Sequence, residues 1–197
     1  MPRAITLIFL VAIVRCAACT TWEKMPVKLF NDAGVGSNAL ELAKEEAAWL
    51  LKSVCVAVNW IRCPVVTVAD SIPCSAPTKA AELHILSSPL THDSENVMGT
   101  AILMEGSEGR AGVFLSRVQE MVDSEPGIIS VPCLLGHVMA HEIGHLLLRS
   151  TAHSIEGVMR AGFRRLELKK ASQRRLTFTR EENSAIKQRV LSSTTVR

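Results

Sequence analysis

The chain has 197 residues, of which 48% are hydrophobic and 21% charged. That is the size and balance of one ordinary globular domain, and it excludes a disordered or collagen-like chain. The formal charge of +3 is uneven: residues 160–197 carry eleven Lys/Arg against three Glu, which leaves the rest of the chain slightly acidic overall.

In chain order, Arg3, the apolar run 4–14 and the small residues Ala17 and Ala18 have the pattern of a secretory signal cut before Cys19. This predicts a signal over 1–18 and a single domain over 19–197, exported to an extracytoplasmic site, secreted or periplasmic. The alternative is a buried N-terminal helix. The apolar run is shorter than the roughly 20 residues that cross a bilayer, so no transmembrane span is expected. Cys19 stands where a lipidated cysteine would follow its signal, which adds a lipid anchor at Cys19 as an option. Four further cysteines, Cys55, Cys63, Cys74 and Cys133, predict disulfides in an oxidising compartment. Three pairings are open, with Cys63 to Cys74 the most local.

Apolar residues at helical spacing predict a helix from Asn38 to about Ser53, with Asn38 and Glu41 as a capping box. Short β-prone runs follow over 56–61, 65–69, 82–87, 97–104 and 112–116, separated by turn-forming stretches. The run 131–148 is long enough for four or five helical turns, and Pro132 sits near its start, where proline is tolerated. A last helix is predicted from Thr179, paired with Glu182 in a second capping box, to about Leu191. Helix, strands, long helix, irregular segment and final helix together read as α+β.

Four of the six histidines fall between 137 and 153. Among them His141-Glu142-Ile143-Gly144-His145 is an HExxH motif. Histidines at i and i+4 share one helical face and reach one metal ion, with a carboxylate beside them to take a proton from water. A catalytic zinc site uses three protein ligands and keeps one position open, so a third ligand is required. His153 is the candidate. On a continuous helix it would lie roughly 12 Å along the axis from His145, too far for both to reach one ion. The helix must therefore end near Arg149-Ser150-Thr151, where serine and threonine compete for backbone hydrogen bonds. Glu156 and Glu167 are the rival acidic ligands. His137, one turn before His141, is expected beside the site or on the helix surface, and His84 and His92 are assigned no role.

The stretch His141 to Met159 resembles the active site of the metzincin zinc peptidases, particularly the matrixin type. His141, Glu142, His145, His153, Ser154 and Met159 match the HExxH helix, the third histidine followed by serine, and the methionine turn beneath the metal, here Gly157-Val158-Met159. The resemblance covers about twenty residues. It implies an α+β fold with a small twisted mixed sheet, an active-site helix and a C-terminal helix. It also implies zinc as cofactor, a peptide or protein substrate laid as a strand along a sheet edge, either 112–116 or 97–104, and endoproteolysis with Glu142 as general base. The sequence departs from that pattern in two ways. Seven residues instead of five separate His145 from His153, with no glycine among them, so a non-glycine residue is expected in a left-handed conformation at a cost of about 1 kcal/mol. The chain also has no tyrosine. The alternative function is a non-catalytic exported zinc-binding or adhesion domain with a structural metal. Nucleic-acid binding by the basic 160–197 segment is the least supported reading, because only Phe163 and Phe178 interleave its charges.

Overall fold

The computed structural model describes residues 19, 22–64, 74, 77, 79–89 and 97–194. The signal-like segment 1–18, His92 and the β-prone run 65–69 lie outside them. The strands are β1 (Glu23–Phe30), β2 (Val56–Cys63), β3 (Ala81–Leu86), β4 (Gly99–Ile102) and β5 (Arg110–Phe114). The helices are α1 (Ser37–Lys52), α2 (Leu115–Ser124), α3 (Val131–Leu148), α4 (Arg165–Ser172) and α5 (Arg180–Thr194).

The five strands form one sheet in the order β2-β1-β3-β5-β4. All neighbours are parallel except β4, which runs antiparallel to β5. Parallel neighbours need a long crossover, and α1 supplies it between β1 and β2. Alternation along β1 buries Met25, Val27 and Leu29, while α1 buries Leu40, Ala43, Ala47 and Leu50. These residues share one core with Leu83 and Ile85 of β3, Val113 of β5, and Leu135, Met139 and Ile143 of α3.

α3 spans the residues predicted for it and is buried along its whole middle, from Leu134 to Leu146. Its length and apolarity match those of a membrane span, but the fold itself covers most of its surface. Ser130 caps its first turn by accepting from the Cys133 N–H. α5 begins as predicted: Thr179 Oγ1 accepts from the Glu182 N–H at 3.2 Å, and a Glu182 oxygen accepts from the Thr179 N–H at 2.7 Å. The first capping box is corrected. Helix α1 starts behind Gly36 with no side-chain cap, and Glu41 instead pairs with Lys44 at 2.7 Å.

Three elements were not foreseen. β1 precedes every predicted element, α2 begins where the run 112–116 was expected to continue as a strand, and α4 lies within the supposed irregular segment. The cysteine expectations hold in part. Cys63 pairs with Cys74, the most local option, whereas Cys55 pairs with Cys19 and Cys133 remains a free thiol. The sulfur of Cys19 is thus committed to a disulfide, and a sulfur so bonded carries no lipid. Of the two candidate substrate edges, 112–116 is excluded because β5 is paired on both sides; β4 is an edge.

Candidate metal centre

α3 carries His141, Glu142 and His145, all less than a tenth exposed. The next ligand candidate depends on how the helix ends. The Ser150 N–H reaches back to the His145 carbonyl and the Arg149 N–H to that of Leu146, both at 3.2 Å, the Schellman arrangement of a helix terminus. This arrangement requires a left-handed residue, and Arg149 is that residue, with φ 51° and ψ 40°. A non-glycine residue there costs about 1 kcal/mol. The Arg149 guanidinium offsets that cost by donating to the carbonyls of Ser107 at 2.8 Å and Met104 at 3.0 Å, so it also ties the β4–β5 loop to the helix end.

Reversal at Arg149 brings His153 back over the helix. Its ring centre lies 5.3 Å from that of His141 and 4.9 Å from that of His145. One ring nitrogen from each of the three lies within 4.8 Å of the others. His141 and His145 are buried, and His153 faces solvent.

The orientation of the two helical rings is set by backbone carbonyls. His141 Nδ1 lies 2.7 Å from the Val158 oxygen, and His145 Nδ1 lies 2.8 Å from the Ser150 oxygen. A carbonyl only accepts, so each Nδ1 carries the proton and each Nε2 presents a lone pair. Those two Nε2 atoms face each other at 3.0 Å. Protonating one of them would relieve the opposition, but burial holds His141 down to about 4, with the neighbouring His145 and His153 acting in the same direction. Burial also lowers His145. Two buried lone pairs at that distance call for a shared cation. Ligand nitrogens around tetrahedral zinc are about 3.3 Å apart, close to what is found here. The donor set thus fits a metal ion, and the carbonyls of Val158 and Ser150 play the orienting part that second partners usually play for metal-bound histidine.

Val158 belongs to the turn marked out in the sequence. Gly157 has φ 77°, a region favourable to glycine, and a Cβ there would lie 2.9 Å from the Thr177 oxygen. The Val158 N–H donates to that same oxygen at 3.0 Å, which aims the Val158 carbonyl at His141. Met159 is fully buried and packs under α3 at Gly144, where any Cβ would run into its sulfur and the Phe178 ring. The turn and the third-histidine loop are joined, since the Ser154 N–H donates to the Met159 oxygen at 2.9 Å. Ser154 Oγ in turn donates to buried Glu182, so the cap of α5 also braces this loop.

Glu142 is 4% exposed and sits against Gly99 of β4. A Cβ at residue 99 would lie 2.7 Å from its carboxyl carbon. Burial pushes this carboxyl up to about 8. Glu142 opens onto a cleft of about 90 Å³ that it shares with His141, His153, Met98, Gly99 and Phe163.

The other candidates fall elsewhere. Glu167 accepts from Arg160 at 3.2 Å and from the Arg164 N–H at 3.1 Å, capping α4, and Glu156 is exposed. His84 pairs with Asp32 at 2.8 Å and stacks on Phe30. His137, expected beside the site or on the surface, is completely buried on the α1 side of α3. Sequence reasoning missed Gly99, the side-chain clamp of Arg149 and the brace between Ser154 and Glu182. Only the last had a visible signal, the Thr179/Glu182 capping box.

No protein-family model and no curated protein matches the chain. Among solved structures, metalloproteinase-II from Bacteroides fragilis is similar, with a TM-score of 0.52 and 12% identity. The match covers 84% of this chain and 53% of that one, so the chain spans about half the length of this neighbour. At that identity the likeness is one of fold alone: five helices and a mostly parallel five-stranded sheet among the described residues.

Proposed function

We propose that the chain is an exported zinc-dependent metalloendopeptidase of the metzincin type, with the matrixin-like elements recognised in its sequence. The observation that carries this reading is the pair of Nε2 lone pairs of His141 and His145, 3.0 Å apart, with both Nδ1 atoms engaged by carbonyls. His141, His145 and His153 would hold Zn²⁺, with Met159 packed beneath. The ion would supply Lewis acidity toward water and the scissile carbonyl.

Glu142 is the general base in this reading: its carboxylate takes a proton from water in the cleft and returns it to the leaving amine. The buried carboxyl, set between Gly99 and His141, is placed to hold that proton between the two transfers. Gly99 lets β4 lie against Glu142, and β4 as an edge strand offers main-chain groups to an extended peptide. Export is supported by the two disulfides and by the signal-like composition of 1–18. A single domain over 19–197 is part of the same reading.

Replacing Glu142 by Gln tests it. Hydrolysis of casein should fall by about a thousandfold or more while zinc content is retained. Unchanged hydrolysis would remove Glu142 from the mechanism, and absence of chelator-sensitive hydrolysis in the unmutated protein would overturn the peptidase reading.

A further inference from the structure

A second group of ligand-type side chains lies one turn earlier on α3. Gly136 brings α1 and α3 into close contact: a Cβ there would lie 2.6 Å from the Ala43 oxygen and 2.7 Å from Glu46 Cβ. This approach sets Glu46 of α1 against Cys133 and His137, which stand at i and i+4 on one face of α3. One donor atom from each lies within 4.8 Å of the other two. Glu46 and His137 are both more than nine-tenths buried.

Their hydrogen bonding is incomplete. Arg174 donates to Glu46 Oε2 from Nε at 3.1 Å and from a terminal nitrogen at 3.0 Å. Glu46 Oε1 has no hydrogen-bond partner among the described residues, and His137 Nε2 closes no well-formed bond although the Leu176 carbonyl lies near the ring. The other ring nitrogen of His137 lies 3.1 Å from the Cys133 carbonyl and 3.9 Å from Glu46 Oε1. A buried acceptor left unpaired costs on the order of 1–3 kcal/mol, so such groups normally have a partner.

We propose that Glu46, Cys133 and His137 form a second metal site, taking Zn²⁺ or a similar thiophilic divalent ion through one carboxylate oxygen, one thiolate and one imidazole nitrogen. Mixed sulfur, nitrogen and oxygen donors select zinc-like ions over magnesium and calcium. Nitrogen and oxygen ligands of tetrahedral zinc lie about 3.3 Å apart, so binding through His137 Nδ1 requires it and Oε1, 3.9 Å apart, to approach by about half an ångström, and Nδ1 to release the proton it directs at the Cys133 carbonyl. Arg174 fixes the other carboxylate oxygen and so favours single-oxygen binding. The Cys133 thiol, which donates weakly to the Ala171 carbonyl at 3.9 Å, gives up its proton when a cation binds. The site ties α1 to α3 and leaves the cleft untouched.

Cobalt distinguishes the two centres because only one contains sulfur. The full chain, stripped with a chelator with its disulfides intact, is titrated with Co²⁺ and followed by metal content and by the near-ultraviolet thiolate-to-cobalt band. The expected result is two ions per chain with the band present. Cys133→Ser should bind one ion, lose the band and keep peptidase activity, whereas His145→Ala should bind one ion and keep the band. One ion per chain with no band in the unmutated protein would overturn the second site, as would a band that survives Cys133→Ser. Neither result touches the peptidase reading, which fails instead if the cobalt-loaded chain cleaves no peptide.

Discussion

Two buried carboxylates, Glu46 packed against α3 and Glu142 carried by it, are treated differently by the fold. Glu46 has an arginine on one of its oxygens, while Glu142 has a glycine beside it and, 4.0 Å away, only the imidazole of His141, which burial keeps neutral. A similar contrast separates the histidines. His137 is enclosed between α1 and α3, whereas His141 and His145 have carbonyls behind them and a cleft in front. In the proposed reading, one end of the helix holds structure together and the other does chemistry. A buried carboxylate without a cation beside it destabilises the fold and would be retained there for proton transfer.

The strongest way to break this contrast is His145→Ala, which should abolish hydrolysis and remove the ion held at the His141 end. Circular dichroism should show the α3 fold retained, and zinc analysis should show the loss.

Next in size is the cost of burying the Glu142 carboxylate. In the chelator-stripped protein its carboxyl, raised from 4.5 to about 8, holds a proton that the unfolded chain releases. Stability should therefore fall as pH rises from about 4.5 to about 8. Glu142→Gln removes this dependence and should be more stable than the unmutated chain at pH 8, by up to about 4 kcal/mol, with little difference at pH 4.5. His141 acts in the opposite sense on the acid side: buried neutral, with its value lowered to about 4, it should cost stability as pH falls below 6.5. Urea unfolding across pH 4 to 8.5 measures both, and a flat difference between the two proteins would contradict the burial argument.

Gly99→Ala sharpens the contrast without touching a ligand. The added Cβ would displace the Glu142 carboxylate, and a misplacement of about 1 Å costs on the order of a hundredfold in rate. The loss should appear in kcat, with metal content unchanged. The smallest effect belongs to the helix end. Arg149→Ala keeps the left-handed strain and loses two hydrogen bonds, while Arg149→Gly loses the bonds but relieves the strain. The glycine variant should be the more stable of the two by about 1 kcal/mol in thermal or urea unfolding.

Legibility in the sequence followed the strength of local signals. α3 could be read because eighteen residues of continuous helical character stand between a serine cap and the segment at Arg149. The helix break was legible from geometry, since three histidines cannot meet one ion on a straight helix. β1 was missed although Met25, Val27 and Leu29 alternate; Pro26 and the interposed lysines masked a strand with neighbours on both sides. Pro26 is tolerated because β3 joins β1 only from Val27 onward. α2 and α4 are only ten and eight residues long, and each directly adjoins a strand or loop pattern that claimed its residues. Gly99 and the cluster of Glu46, Cys133 and His137 depend on tertiary approach, which no local spacing encodes. Glu46 lies some ninety residues from its partners along the chain.

Anomalous diffraction at the zinc edge from crystals of the zinc-loaded chain tests the central claim most directly. The account predicts a peak within bonding distance of Nε2 of both His141 and His145 and of the imidazole of His153. Density with the His153 ring turned away, or no peak between the two Nε2 atoms, would contradict it.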